Sequence, residues 1–207
     1  NYTVNDSFVL PIPKKLGYKF TGWEDEKSQT IKAIQKGTYG NKTLTAKWSA
    51  NEASIGTTSS VYNVTNDYSI FTVNGNVSFN IKSNVDQVMF TTNGTQRIVT
   101  INVENRSRAL NIIFKNVKFI SKTNSNLIEA PNSYRLDIIS EGTNTLTGGN
   151  LYISTLTSVI NCQEIVFYGQ GTLSIIGANN VGRNGIHGMQ GGYGISASGY
   201  VTNNMKE

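Results

Sequence analysis

Short stretches in which apolar and polar residues strictly alternate recur along most of the chain. Val77, Phe79 and Ile81 alternate with Ser78, Asn80 and Lys82, and Val99, Ile101 and Val103 alternate with Thr100, Asn102 and Glu104. A period of two predicts strands with one buried face. No amphipathic helical period follows residue 60. Three similar blocks come next, Leu110-x-Ile112-x-Phe114, Leu136-x-Ile138 and Ile165-x-Phe167, with a weaker fourth at Ile195. From Leu110 the successive offsets are 26, 29 and 30 residues. In the first three blocks a second short strand follows a polar or glycine turn: Val117-x-Phe119, Thr145-Leu146-Thr147 and Leu173-x-Ile175.

Repeats of this length with β units predict stacked strands about 4.8 Å apart around one apolar column. The economical architecture is a right-handed parallel β-helix, because crossovers to a parallel strand are overwhelmingly right-handed. The competitor is an antiparallel sandwich, which needs compact hairpins. Only Asn74-Gly75 and Asn93-Gly94 offer hairpin turns, so the early strands are read as a capping sheet over an open end.

The first 49 residues use a different pattern. Tyr18-Lys19-Phe20 and Leu44-Thr45-Ala46-Lys47-Trp48 alternate, with turns at Gly17, Gly22, Gly37 and Gly40. Tyr18, Phe20, Trp23, Leu44, Ala46 and Trp48 are the expected core. Small polar residues from Ser49 to Ser60 read as a linker. The expected division is therefore a module at 1–49, a linker at 50–60 and a β-helical domain at 61–207.

Three motifs of the first segment, Leu10-Pro11-Ile12-Pro13, Gly17-Tyr18-Lys19-Phe20-Thr21-Gly22-Trp23 and Leu44-Thr45-Ala46-Lys47-Trp48, resemble the internalin-type B-repeat of bacterial surface proteins. The resemblance implies a small β-grasp-like spacer module. That family's opening strand has no counterpart before Tyr2, so the module is expected to be incomplete and the chain a piece of a longer protein.

The second segment resembles a bacterial carbohydrate-binding-domain β-helix family over roughly residues 60–200. The likeness rests on Ala109–Phe119, on Leu136–Gly148 with its Glu141-Gly142-Thr143-Asn144-Thr145-Leu146 coil, and on Ile165–Gly177 with its Gly169-Gln170-Gly171-Thr172-Leu173 coil. It implies an extracellular or cell-surface location, with signal peptide and anchor outside this stretch. It also makes calcium in the loops a possible cofactor. The loop at Asn179, Asn180 and Asn184 has the position for a metal but no acid, and no metal ligand is assigned there. Asn144 is expected to hydrogen-bond a turn rather than a ligand.

Composition narrows the chemistry. Charged residues make up only 15% of the 207 residues, and no apolar run approaches the length of a membrane helix. The net charge of +5 sits mostly in residues 1–50, where eight scattered lysines face four acids. No basic, aromatic-lined patch for nucleic acid results. The single Cys162 excludes a disulfide within the chain and a multi-cysteine zinc site, and the single His187 excludes any mechanism that needs two histidines. Acids are sparse after residue 50. Asp137 and Glu164 are the one pair expected to neighbour each other, and glycoside hydrolysis needs two carboxylates facing across a bond. An enzyme is not expected.

A sugar surface remains. Flat aromatic faces with polar edges suit sugar rings, and Tyr152, Tyr168 and Tyr193 recur near successive repeats. They are the candidate carbohydrate-binding residues. The expected function is non-catalytic polysaccharide binding. The alternatives are a structural adhesin stalk or a module that binds host protein, with a lyase or hydrolase least favoured.

Overall fold

The structure, a computed structural model, describes residues 2–56, 60–150, 157–178, 193–197 and 201–205. Among them every regular element is a β-strand, and no helix is long and apolar enough to cross a membrane. The chain begins with an antiparallel module of β1 (Phe8–Val9), β2 (Tyr18–Glu24), β3 (Thr30–Ile31), β4 (Ala33–Ile34) and β5 (Thr45–Ala50). β1 pairs with β4, and β2 lies between β3 and β5. A register shift between Phe20 and Gly22 acts as a bulge. Across it, Phe20 lies 5.6 Å from Trp23, and on its own side 5.5 Å from Trp48. These rings are not a closed core: Tyr18 is 38% exposed and Phe20, Trp23, Leu44, Ala46 and Trp48 are half-buried. The expectation fails because the module's two sheets, of two and three strands, are too small to cover these rings.

From Glu52 onward the strands run parallel. They are β6 (Glu52–Ile55), β7 (Ser60–Val64), β8 (Ser69–Val73), β9 (Val77–Ile81), β10 (Gln87–Thr91) and β11 (Arg97–Val103), followed by β12 (Leu110–Lys115), β13 (Lys118–Ile120) and β14 (Ile128–Ala130). Next come β15 (Leu136–Glu141), β16 (Thr143–Thr147), β17 (Ser158–Cys162), β18 (Ile165–Gly169), β19 (Thr172–Ile176), β20 (Tyr193–Ala197) and β21 (Val201–Met205). A front sheet takes β6, β8, β10, β12, β15, β18 and β21 in that order. A back sheet starts as β7, β9 and β11 and then forks. Arg97 and Ile98 of β11 lead into β13, β16 and β19. Ile101 and Asn102 lead into β14, β17 and β20.

The expected column of Leu110, Leu136 and Ile165 is one register line of the front sheet. Three other expectations are corrected. Ile195 does not continue this line: it pairs with Ile160 in the back sheet, and Val201 takes the place beside Ile165. Spacing misled here because passes lengthen along the chain, from the 19 residues between Ile70 and Met89 to the 36 between Ile165 and Val201. Asn74-Gly75 and Asn93-Gly94 are corners between sheets rather than hairpins, and β7 to β11 are ordinary members of the parallel sheets, not a separate cap. Within the stretch read as linker, Glu52–Ile55 forms the edge strand of the front sheet, because Ala53 and Ile55 alternate inward.

The interior is built from alternate residues of both sheets. Phe71, Phe90 and Phe114 share a front-sheet column, and Phe79 and Phe119 reach them from the back. In the next two passes that column reads Ser140 and Gly169. Buried Asn144 fills the polar gap. Its Oδ1 accepts the Val117 N–H (2.9 Å), and its Nδ2 donates to Ser140 Oγ (2.9 Å) and to the Glu141 carbonyl (3.1 Å). The turn-bonding role expected of this residue is what the geometry shows.

The antiparallel module is fixed to the first parallel strands by backbone and charge. Gly17 N–H donates to the Tyr68 carbonyl (2.7 Å), and Asn51 N–H donates to the Gly17 carbonyl (2.8 Å). Tyr68 holds φ at 60°, a left-handed value that is strained for a bulky residue. Asp67 Oδ1 secures that corner by accepting the N–H groups of Tyr68, Asp86 and Gln87 at 3.0, 2.8 and 2.8 Å. Lys14 reaches Asp86 at 3.4 Å and Asp67 at 3.7 Å, and Arg108 meets Asp86 at 2.9 Å.

Candidate functional site

The outward faces of the parallel sheets carry three features. The first is a ladder on the back sheet. Asn63, Asn80, Asn102, Glu129, Asn161 and Ser196 occupy consecutive register positions. Asn80, Asn102, Glu129 and Asn161 each lie between two buried residues, as Asn80 does between Phe79 and Ile81, so this part of the row faces out. Asn102 Nδ2 donates to Asn80 Oδ1 (3.0 Å), and Asn80 Nδ2 donates to Asn63 Oδ1 (3.3 Å). Asn161 Nδ2 donates to Glu129 Oε1 (2.7 Å), and Asn126 Nδ2 donates to Glu129 Oε2. An amide carries two donor hydrogens and two acceptor sites. Bonding along the row fixes each amide's orientation and leaves capacity facing outward. Ser78 and Thr100 form an adjacent hydroxyl row. At its side Lys82 pairs with Glu104 at 2.6 Å. That hydrogen bond, with a second from Ser83 N–H, holds the Glu104 carboxyl below its usual range.

The second feature contains Tyr168. Ile70, Met89, Ile113, Ile139, Tyr168 and Asn204 form one outward row of the front sheet. Tyr168 is half-buried. Beside it Arg135 grips Asp137 through two hydrogen bonds of 2.8 and 3.0 Å. Asp137 is therefore committed to an arginine, and the Leu136 N–H bonds the Glu164 backbone carbonyl.

Of the three tyrosines expected to line one face, the two that can be placed lie on different sheets. Tyr168 lies on the front sheet, whereas Tyr193 belongs to a back-sheet strand, opposite Ser158. Tyr152 lies outside the described residues, as do His187 and the Asn179–Asn184 loop. Recurrence along the chain becomes alignment only when residues fall at the same place in each pass, and Tyr168 and Tyr193 do not.

The third feature is a groove of about 500 Å³ where the back sheet forks. Its floor is Ile98 and Ile120, which are register partners, and Ile98 is 39% exposed. Asn76, Gln96, Arg97, Thr123 and Asn150 stand around it. Neither the groove nor the ladder was found from sequence, although the available signals were the alternating Asn80 and Asn102 and an arginine in phase with Val99, Ile101 and Val103.

Among the described residues no group of three or more His, Cys, Asp or Glu side chains could hold a metal ion. A calcium site built from the described carboxylates does not fit, since Asp137, Glu141 and Glu104 each face a basic partner. Cys162 is buried against the column that contains Ala130, and burial pushes its thiol up to about 11. At neutral pH it is almost entirely the unreactive thiol. Labelling by a disulfide reagent is expected to be negligible in native buffer and complete in denaturant. Fast labelling of the folded protein would contradict that placement.

No protein-family model, curated protein or solved structure matches this chain.

Proposed function

We propose that the residues from Glu52 onward wind as a right-handed parallel β-helix behind a B-repeat-like spacer module. In this reading the chain is a non-catalytic polysaccharide-binding region of a bacterial cell-surface or secreted protein. The observation that carries it is the Asn63–Asn80–Asn102–Glu129–Asn161 ladder. Strands about 4.8 Å apart present one amide or carboxylate per pass, so an extended sugar chain laid across them meets the same donor and acceptor pattern repeatedly. The internal bonds of the row order the side chains before a ligand arrives, which lowers the entropic cost of binding. The hydroxyl row of Ser78 and Thr100 widens the polar strip. Support for a non-catalytic role comes from the engaged carboxylates Asp137, Glu141 and Glu129.

A glycan array followed by titration calorimetry tests this. The wild-type chain is expected to retain an extended polysaccharide without added cofactor. The double substitution N80A/N102A removes two exposed rungs, each worth about 1 kcal/mol, and is expected to weaken binding at least about tenfold with little change in thermal stability. No retained glycan would favour the structural stalk or host-protein module, and release of reducing ends would return the enzyme reading.

A further inference from the structure

The ladder on the back sheet is broken at Glu129, and the chemistry of the break follows from which atoms face each other. The three amides that donate along the row do so in one sense, toward the first strands: Asn161 Nδ2 to Glu129 Oε1, Asn102 Nδ2 to Asn80 Oδ1 and Asn80 Nδ2 to Asn63 Oδ1. An amide that donates in this sense leaves its Oδ1 to accept from the following rung, as Asn80 accepts from Asn102. The rung that follows Asn102 is Glu129, its register partner. A carboxylate is an acceptor only. Two acceptors therefore stand on adjacent strands about 4.8 Å apart, and no described residue donates to Asn102 Oδ1.

Glu129 is also without a counterion. It is half-buried, and its oxygens accept amide hydrogens from Asn161 (2.7 Å) and Asn126, which orient the carboxylate without neutralising it. Among the described residues it meets no cation, whereas Asp86, Glu104, Asp137 and Glu141 each pair with a lysine or arginine. Lys82, two residues on from Asn80, is held by Glu104 at 2.6 Å. Two amide bonds use half of the roughly four lone-pair sites of a carboxylate, so acceptor capacity remains. Asn102 is exposed, and the break opens to solvent there.

A group that fills this break must offer hydrogens in two directions. A sugar hydroxyl has one; a primary ammonium has three and supplies the charge that Glu129 lacks opposite it. Hydrogen bonds of that charged kind are about twice as strong as neutral ones. We infer that the break between Asn102 and Glu129 is a subsite for a primary ammonium, and that the ladder selects a polysaccharide carrying free amino sugars. Asn80 and Asn161 bond hydroxyls on either side. The inference rests on the glycan-binding reading above and names its substrate class.

The test is an amide-resolved NMR titration of the whole chain with methyl glucosaminide, methyl glucoside, methyl N-acetylglucosaminide, methylammonium chloride and calcium chloride. The three sugars differ at one ring substituent. The glucosaminide is expected to shift the amides of residues 101–103 and 128–130. It should bind at least about tenfold more tightly than the other two sugars, the ratio one charge-assisted hydrogen bond supplies, and more weakly as rising pH removes its proton. E129Q removes the charge and is expected to abolish the preference. N102A, at an exposed position, leaves Glu129 with both of its amides and decides the matter where E129Q fails to fold; it is expected to cut the preference about threefold. Equal binding of glucosaminide and glucoside, or an unchanged preference in either folded variant, overturns the proposal. So does methylammonium or calcium binding as tightly as the glucosaminide, which would make this a cation site only. If the glucosaminide shows no preference while the array still retains a neutral glycan that N80A/N102A weakens, the subsite falls and the glycan reading stands. If no sugar binds anywhere, both fall.

Discussion

Replacement of Phe90 by alanine is expected to lower the unfolding free energy by about 4 kcal/mol, within the range for truncating a buried phenylalanine. Phe90 is fully buried where the two sheets meet. Its ring lies 5.8 Å from Phe71, 6.1 Å from Phe114, 4.7 Å from Phe79 and 6.4 Å from Phe119. Removing it opens a cavity walled by four other rings held on separate strands, which cannot all move inward to refill it. In a protein of this size the expected fall in melting temperature is about 10 °C. Urea unfolding, with the slope compared between variants, checks it. A loss near 1 kcal/mol would show that the stack is not the centre of the core.

Gly169→Ala is expected to cost a similar amount, about 4 kcal/mol, for a different reason. Gly169 has φ at 117°, where a side chain is strained, and its Cβ would sit 2.2 Å from the Ser140 carbonyl oxygen on the paired strand. Backbone strain of about 1–2 kcal/mol adds to overpacking of about 1–3 kcal/mol. The oxygen cannot step aside cheaply, because it accepts the Gly171 N–H at 3.0 Å. Gly94→Ala is the control. That glycine also has positive φ, at 86°, but nothing lies within 4 Å of its Cβ position. Only the strain remains there, about 1–2 kcal/mol. Equal losses at the two sites, measured by urea unfolding, would remove the close-approach explanation.

Much of the strand layout was legible in the sequence because it is a local property. Alternation at Val77–Ile81 and Val99–Val103 set which side chains turn inward, and the structure buries those same residues. The blocks at Leu110, Leu136 and Ile165 were close enough in spacing for their pairing to follow from the repeat. Asn144 announced its role through its neighbours, a glycine turn on one side and an alternating strand on the other. The last block was misread, since the chain between Ile165 and Val201 is longer than earlier passes and Ile195 falls on the other sheet. The aromatic residues of the first module were legible as one cluster but not as a half-open one.

The candidate sites were less legible. Asn63, Asn80, Asn102 and Asn161 have no common spacing, and each is an ordinary polar residue within its own strand. They become a ladder through register, and register depends on how many residues each corner takes up. Glu129 likewise becomes a break in that ladder only because Asn102 is its register partner. What the sequence settled by itself was which residues face inward and that the elements are strands, because alternation needs only the chain's own geometry. Tertiary structure alone decided which outward residues become neighbours and where the groove opens, because those depend on contacts between strands about twenty to forty residues apart.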